Sequence, residues 1–222
     1  SPQRITAGIK HVLAASRQLG HCYLTAAQIE SQVEALLGLT LGERMGPLLG
    51  AMEQEGLVMV RRLDTPAGRS EPCYYSRSLY YDEQYVARAI AAMGPMPAVD
   101  KARIARWLDT YCRAKEIQLS AEQRAAIEGI VGHRFAILTG GPGCGKTTAT
   151  RILVRLLEAM GRRVLLAAPT GRAAQRMLDV IGKEAKTIHR LLEWQQNGFK
   201  KNEENPLKVD FLIVDECSML DI

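Results

Sequence analysis

The sequence predicts an α/β chain in which a domain with a parallel sheet follows a mostly helical domain. From residue 119 onward, short apolar runs that fit buried strands alternate with helical patterns. This alternation is typical of a parallel sheet covered by helices. Before residue 119 the pattern is helical, apart from one pair of strand-like segments. The 222 residues are 47% hydrophobic, which is enough apolar material for a core in each part.

The first half is predicted to have the element order of a winged helix. Apolar residues at helical spacing predict three helices, at residues 5–18, 25–38 and 41–55. Two strands follow, at residues 57–62 and 73–78, around the turn-rich stretch 63–72. Thr25 and Gln28 have the spacing of a capping box, and Gly56 suits the end of the third helix.

A fourth helix, the breaker "GPMP" and a connecting helix join the two halves. We expect these elements at residues 80–93, 94–97 and 98–115. The predicted domains are therefore a helical winged-helix-like domain at 1–93, a linker with its helix at 94–118, and the α/β domain at 119–222. The α/β domain is predicted to hold helices at 119–131, 146–160, 171–182 and 187–194, strands at 135–140, 162–170 and 209–216, and a polar loop at 195–206.

Residues 140–147, G-G-P-G-C-G-K-T, match the phosphate-binding pattern G-x-x-x-x-G-K-[ST]. The motif lies between a predicted strand and a predicted helix, which is the context it requires. Glycines let backbone N–H groups turn inward around phosphate oxygens, and the helix dipole adds positive potential. Lys146 is expected to reach the β- and γ-phosphates, and Thr147 to bind Mg²⁺. The predicted nucleotide-binding residues here are Gly140, Gly141, Pro142, Gly143, Cys144, Gly145, Lys146, Thr147 and Thr148.

Cys144 has two interpretations within this loop. It is either a small side chain that fills space, or a thiol whose pKa is lowered by the helix N-terminus and whose oxidation controls ATP binding. Alkylation that leaves ATP binding unchanged would exclude the second interpretation.

Asp215 and Glu216 follow the apolar run 211–214 and are predicted to complete the site. Ligands of open α/β sheets lie at the carboxyl ends of the strands. Asp215 would hold Mg²⁺, and Glu216 would orient or deprotonate the attacking water. An acidic pair after an apolar run is by itself more often a solvated strand end, so the assignment depends on the preceding glycine loop.

The segments "LSAEQ", "APTGRAA", "TIHRLL" and "DECSM" occur in this order around the glycine loop. Together they resemble superfamily-one DNA helicases of the RecD type, and the resemblance covers residues 119–222. It implies a first RecA-like P-loop NTPase domain that ends just after the acidic pair. It also implies ATP and Mg²⁺ as cofactors, and ATP-driven 5′-to-3′ movement on single-stranded DNA, or on DNA with a 5′ overhang, in repair and recombination.

The resemblance also implies roles for individual residues. Gln123 corresponds to a glutamine that reads adenine, although Ser120 and Gln123 also fit a capping box. The expected DNA contacts are Pro169, Thr170, Gly171, Arg172, Thr187 and His189. The alternatives are an ordinary strand-to-helix turn for the first four and a structural role for His189.

Composition limits the possible binding partners and the cellular compartment. The net charge of +5 is spread over both halves, so it is compatible with nucleic acid but forms no basic tail. Five scattered cysteines indicate reduced thiols and a cytoplasmic protein, and no run is long enough to span a membrane. Since the chain begins without Met and ends before the later helicase motifs, we expect part of a longer protein with little ATP hydrolysis of its own.

Three alternative functions are weighed against a stand-alone helicase. The first is the alpha subunit of exodeoxyribonuclease V, acting only with other repair or nuclease subunits. The second is a winged-helix DNA-binding regulator switched by ATP, which the acidic third helix argues against. The third is a P-loop kinase or transporter ATPase, whose further motifs are absent from the sequence. For the first half we favour a scaffold or partner-docking role over non-specific duplex contact through Arg44, Arg61, Arg62 and Arg69.

Overall fold

The computed structural model describes residues 1–64, 68–220 and 222. Residues 1–92 belong to one compact unit and residues 93–220 to a second. The second unit contains a three-stranded parallel sheet with helices, so the predicted α/β fold class is confirmed. Part of the predicted turn of the hairpin, residues 65–67, lies outside the described residues.

The first unit has the arrangement of a winged helix followed by one further helix. Its helices are α1 (Pro2–Ala15), α2 (Ala26–Leu37), α3 (Met45–Gln54) and α4 (Arg77–Ala92). Its strands are β1 (Tyr23–Thr25), β2 (Met59–Asp64) and β3 (Ser70–Tyr75), in the antiparallel order β1-β3-β2. Strand β1 was not predicted, because three residues are too few for an alternating pattern to be recognised.

Apolar residues at helical spacing form the core of the first unit. The predicted capping box is present at the start of α2, where the side chains and backbones of Thr25 and Gln28 bond each other. At its end, Gly38 has a φ of 65° and closes the helix in the left-handed conformation. The fully buried side chains of this core include Ile9, Leu13, Leu24, Ile29, Val33, Leu49 and Met52.

The second unit places its helices around the sheet β5-β4-β8. Its helices are α5 (Lys101–Ala114), α6 (Ala121–Val131), α7 (Lys146–Ala159), α8 (Gly171–Ile181) and α9 (Ile188–Leu191). The parallel strands are β4 (Val164–Ala168), β5 (Ala185–Thr187) and β8 (Phe211–Val214). A small antiparallel hairpin is formed by β6 (Trp194–Gln195) and β7 (Gly198–Phe199).

Helix α7 is the centre of the second core. It contributes six buried residues, and α5, α6, β4 and α8 pack their apolar faces into the same cluster. Helix α5, predicted as a connecting helix, buries Ile104 and Leu108 in this core. Because α7 is fixed along its whole length, the loop that precedes it has a rigid support at one end.

The strand predicted at residues 135–140 is not formed, which corrects the sequence interpretation. These residues lie in no strand, and the side chains of Phe135 and Ile137 are 47% and 77% exposed. A strand is stabilised by hydrogen bonds to neighbouring strands. Within the described residues, β8 is an edge strand and pairs only with β4. Apolar composition favours burial of this segment but does not determine whether it pairs with a neighbouring strand.

The predicted loop at 195–206 also contains regular structure. Residues Trp194 and Phe199 pair across a tight hairpin, in which Gly198 has a φ of 114°. The sequence signal was Asn197-Gly198, a dipeptide that is common in hairpin turns. The polar composition of this segment therefore concealed a short hairpin with aromatic residues on its paired strands.

Candidate nucleotide-binding site

The glycine loop, residues 140–147, turns sharply before α7 begins at Lys146. Gly143 and Gly145 have φ angles of 78° and 72°, in the left-handed region that favours glycine. Gly145 is the N-cap residue of α7, and its carbonyl accepts a bond of 3.0 Å from the Ala149 N–H. The first N–H groups of a helix have no intrahelical partner and attract anions. The loop therefore has the backbone features that a phosphate cradle requires.

The side chain of Lys146 folds back over the loop. Its Nζ donates hydrogen bonds to the carbonyls of Gly140, at 2.5 Å, and Gly141, at 2.9 Å. Phosphate oxygens are stronger acceptors for an ammonium group than backbone carbonyls, since the bond is then between two charges. Thr147 and Thr148 follow in the first turn of α7 and are half-buried. A cation and two hydroxyls are thus grouped at the start of this helix.

A cleft of about 710 Å³ opens beside the loop. This volume lies in the range of small-molecule sites, roughly 300–1,000 Å³. One side of the cleft is apolar, with Ala126, Ile137 and Leu138. The predicted site residues that line it are Gln123, Gly140, Gly143, Cys144, Gly145 and Lys146. The cleft therefore combines an apolar wall with a polar, glycine-rich rim, as a nucleotide with a base and phosphates requires.

Gln123 makes the predicted capping box and also contacts the glycine loop. Its Oε1 accepts from the Ser120 N–H at 3.0 Å, and its own N–H donates to Ser120 Oγ at 3.2 Å. Its Nε2 donates to the Cys144 carbonyl at 2.9 Å. The capping interpretation is thus confirmed, while the adenine contact and both interpretations of Cys144, an exposed thiol, stay predictions.

The acidic pair lies at the carboxyl end of β8. The Asp215 N–H donates to the Ala167 carbonyl on β4 at 3.0 Å, which holds the start of the turn against the sheet. Glu216 has a positive φ of 55°, its N–H donates to Asp215 Oδ1 at 2.9 Å, and its carboxylate lies 3.8 Å from Arg176 on α8. Both acidic side chains are exposed, and neither lines the cleft beside the glycine loop. Their convergence with Lys146 and Thr147 on one metal ion stays a prediction.

The register of the sheet brings three of the predicted motifs, those that follow β4, β5 and β8, to one edge. Ala167 of β4 is opposite Val214 of β8, and Ala168 is opposite Thr187 at the end of β5. In a parallel sheet these carboxyl ends lie at the same edge. Helix α7 precedes β4 in the chain, and the glycine loop precedes α7. The register thus places the acidic pair and the starts of α8 and α9 at a common edge. That the glycine loop lies at the same edge stays a prediction.

The two segments predicted to contact DNA, residues 169–172 and 187–189, each contain the start of a helix. Thr170 is the N-cap of α8 and accepts a bond from the Ala173 N–H at 3.2 Å. Thr187 is the N-cap of α9 and accepts from the Arg190 N–H, also at 3.2 Å. Pro169 is half-buried, whereas Gly171 and Arg172 are exposed. An ordinary strand-to-helix turn would have the same caps, so the caps do not distinguish the two interpretations.

His189 lies in a cluster of aromatic rings that the sequence did not indicate. Its ring centroid is 6.1 Å from that of Trp194 and 5.8 Å from that of Phe199, and the latter two rings are 4.6 Å apart. Trp194 and Phe199 are 55% and 38% exposed. The structure thus gives His189 a packing role against the β6–β7 hairpin, and its DNA contact stays a prediction.

Comparison with known proteins identifies relatives of both units. The model of an AAA domain family matches residues 123–222. The ATP-dependent RecD2 DNA helicase of Deinococcus radiodurans is 35% identical over 226 residues, covering 99% of this chain and 31% of the relative. The RecBCD enzyme subunit RecD of Haemophilus influenzae is 36% identical over 128 residues, covering 45% and 20%. The ATP-dependent DNA helicase dda of Enterobacteria phage T4 is 37% identical over 92 residues, covering 38% and 21%.

The glycine loop before α7, together with the AAA domain match, defines the second unit as a P-loop nucleotide-binding domain. The comparisons support the resemblance to RecD-type helicases that the ordered motifs indicated, over nearly the whole chain for the RecD2 relative and over less than half of it for the RecD subunit. The chain spans less than a third of the length of the RecD2 relative. Within the described residues, no helix is long and apolar enough to cross a membrane.

Proposed function

We propose that the chain is the nucleotide-binding part of an ATP-dependent DNA helicase that moves 5′ to 3′ along single-stranded DNA. The observation that carries the proposal is the glycine loop at the start of α7, where Lys146 and two threonines are grouped. The strand register supports it by aligning the acidic pair with two helix starts at one edge of the sheet. The names of the relatives support ATP-dependent DNA helicase activity. Hydrolysis and unwinding are proposed for a protein of the relatives' length. For these 222 residues we propose nucleotide binding with little hydrolysis.

The glycine loop would hold the triphosphate by its backbone. N–H groups at the start of α7 donate to phosphate oxygens, and Lys146 exchanges its two carbonyl partners for the β- and γ-phosphates. Thr147 and Asp215 would hold Mg²⁺, which neutralises developing charge on the phosphates. Two protein ligands are enough, because Mg²⁺ usually keeps several waters and binds phosphate oxygens directly.

Glu216 is proposed as the group that accepts a proton from the attacking water. The water oxygen bonds to the γ-phosphorus, the bond to the β-phosphate oxygen breaks, and ADP and phosphate leave. Arg176, 3.8 Å from the Glu216 carboxylate, would help to orient this carboxylate.

DNA is proposed to bind where the same edge offers polar helix starts. Thr170, Gly171 and Arg172 can contact backbone phosphates, which requires no particular base sequence. Thr187 at the end of β5 extends this line on the neighbouring strand. Because α8 carries Arg176 next to Glu216, a shift of α8 on DNA binding would reach the acidic pair directly.

Among the alternatives, the extent of similarity favours a stand-alone enzyme of the RecD2 type. The RecD2 relative matches 99% of the chain, including the winged-helix unit, whereas the RecBCD subunit of Haemophilus influenzae matches 45%. Partnership with nuclease subunits therefore has less support. All five cysteines are free thiols, which agrees with action in the cytoplasm.

Isothermal titration of the 222-residue chain with ATP and Mg²⁺ tests the first step of the proposal. We expect saturable binding, and a loss of at least tenfold in affinity for Lys146→Ala. Strand displacement by a protein of the relatives' length tests polarity. A 5′ overhang should support unwinding and a 3′ overhang should not. Unwinding from a 3′ overhang only, or unchanged binding by Lys146→Ala, would contradict the proposal.

A further inference from the structure

Gln123 uses both ends of its side-chain amide within the chain. The oxygen accepts from the Ser120 N–H, and the nitrogen donates to the Cys144 carbonyl, 21 residues further along the chain. A glutamine reads a purine by donating and accepting with these same two atoms. In the described conformation, one lone pair of the oxygen and one N–H of the nitrogen are already engaged within the chain.

The bond to Cys144 acts on the peptide that joins Cys144 to Gly145. In a planar trans peptide the carbonyl and the following N–H point in opposite directions. Gln123 Nε2 therefore holds this peptide so that the Gly145 N–H is directed away from Gln123. Gly145 immediately precedes α7, and N–H groups at that position are the donors of a phosphate cradle.

A steric feature shows how closely Gln123 approaches the loop. A Cβ added to Gly145 would lie 2.4 Å from Gln123 Nε2, a distance that real Cβ atoms do not adopt. By contrast, a Cβ on Gly143, two residues earlier and also at positive φ, would meet no atom within 4 Å. The requirement for glycine at 145 thus has two sources, the backbone angle and the packed amide of Gln123.

We propose that Gln123 is a positioning residue for the triphosphate, which orients the Gly145 N–H through the Cys144 carbonyl. This inference rests on the proposed nucleotide binding and deepens it, because it assigns Gln123 to the phosphates and not to the base. Loss of the side chain should then weaken every ligand that contains a triphosphate, with or without a purine.

Inorganic tripolyphosphate, which has no base, separates this role from purine recognition. Binding of ATP with Mg²⁺ is measured by titration, and tripolyphosphate with Mg²⁺ by its displacement of a fluorescent ATP analogue, both with the 222-residue chain. Gln123→Met keeps the volume and removes both polar atoms. We expect this variant to lose about threefold to tenfold in affinity, the effect of one hydrogen bond. The loss should agree within about twofold for the two ligands.

Two control variants identify effects that do not involve the loop. Gln28→Met removes the same capping box from α2 in the first unit. Ile127→Val loosens the buried face of α6 without touching the loop. We expect both controls to bind ATP and tripolyphosphate within twofold of the wild type.

Each other outcome has a defined meaning. A loss confined to ATP would make Gln123 a purine reader and overturn the inference. An unchanged affinity of Gln123→Met for ATP, or an equal loss in Ile127→Val, would also overturn the inference. The same holds if the wild type binds ATP but tripolyphosphate does not displace the fluorescent analogue. If the wild type binds neither ligand, the proposed function itself fails and the inference fails with it.

Discussion

The starts of α2 and α6 have the same local structure but different surroundings. In the first unit, Thr25 and Gln28 form a capping box with bonds of 2.9 and 3.4 Å. In the second, Ser120 and Gln123 form one with bonds of 3.0 and 3.2 Å. Only the second glutamine is described with a further bond to a distant loop, through the Cys144 carbonyl. A four-residue pattern therefore determines the cap, whereas the fold determines whether the cap also serves a site.

The largest expected difference between the two regions concerns their glycines. Gly145→Ala places a Cβ 2.4 Å from Gln123 Nε2 at a φ of 72°, whereas Gly38→Ala at the end of α2 has a φ of 65° and open space. Both variants should lose about 1 kcal/mol of unfolding free energy because of the left-handed backbone. Only Gly145→Ala should also lose more than tenfold in ATP affinity, roughly 1.4 kcal/mol, measured by titration.

A second change tests the cause of that loss. Combining Gly145→Ala with Gln123→Ala removes the clash but leaves the backbone angle unfavourable. The factor by which Gly145→Ala weakens ATP binding should then be smaller in the Gln123→Ala background than in the wild-type background. Equal factors in the two backgrounds would show that the packed amide does not restrict position 145.

The next largest effect, the loss of unfolding free energy when a capping hydroxyl is removed, should be of equal size in the two regions. Thr25→Ala and Ser120→Ala each remove the hydroxyl of one capping box, which typically costs about 1 kcal/mol. Both tryptophans, Trp107 and Trp194, lie in the second unit. Denaturant unfolding followed by tryptophan fluorescence should therefore report the loss in Ser120→Ala. Circular dichroism should report the loss of unfolding free energy in both variants. A difference of more than about 1 kcal/mol between the two losses would contradict caps of equal strength.

The same contrast between local and distant contacts explains what the sequence could predict. Both capping boxes, the winged-helix order and the glycine loop depend on residues close together in the chain, and the structure has all of them. The strand expected at 135–140 depends on pairing with a strand distant in the sequence, which the local pattern cannot specify, and it is not formed. The link from Gln123 to Cys144 is also a long-range contact, so spacing gave no indication of it.

The aromatic cluster shows a different reason for failure. Trp194 and Phe199 are brought together by a hairpin with a tight turn, but the segment is so polar that it was predicted as a loop. The Asn-Gly signal was present and would have indicated the hairpin. Its contact with His189, in contrast, follows from the position of α9 and could not be derived from spacing.

The smallest expected effect is at the other end of α7, where ion pairs fix the helix. Glu158 accepts from Lys183 at 2.8 Å and from Arg155 at 3.0 Å, and Arg155 also donates to the Ile181 carbonyl. The hydrogen bond from Lys183, followed by that from Arg155, lowers the pKa of Glu158. These side chains are 29–38% exposed, so solvent screens the pairs. We expect Glu158→Gln to cost about 0.5–1 kcal/mol of unfolding free energy at pH 7.

This contribution has a defined dependence on pH. A carboxylate whose folded pKa is lowered stabilises the fold above the pKa of the unfolded chain, about 4.3 for Glu. The stabilisation is lost as pH falls through the lower, folded pKa. The difference between wild type and Glu158→Gln, measured by tryptophan fluorescence during urea unfolding, should therefore be constant near neutral pH and shrink below about pH 4. A difference in unfolding free energy that grows on acidification would contradict the ion pairs. The ATP affinity of Glu158→Gln at pH 7 should change by less than about twofold, because the glycine loop lies at the opposite end of α7.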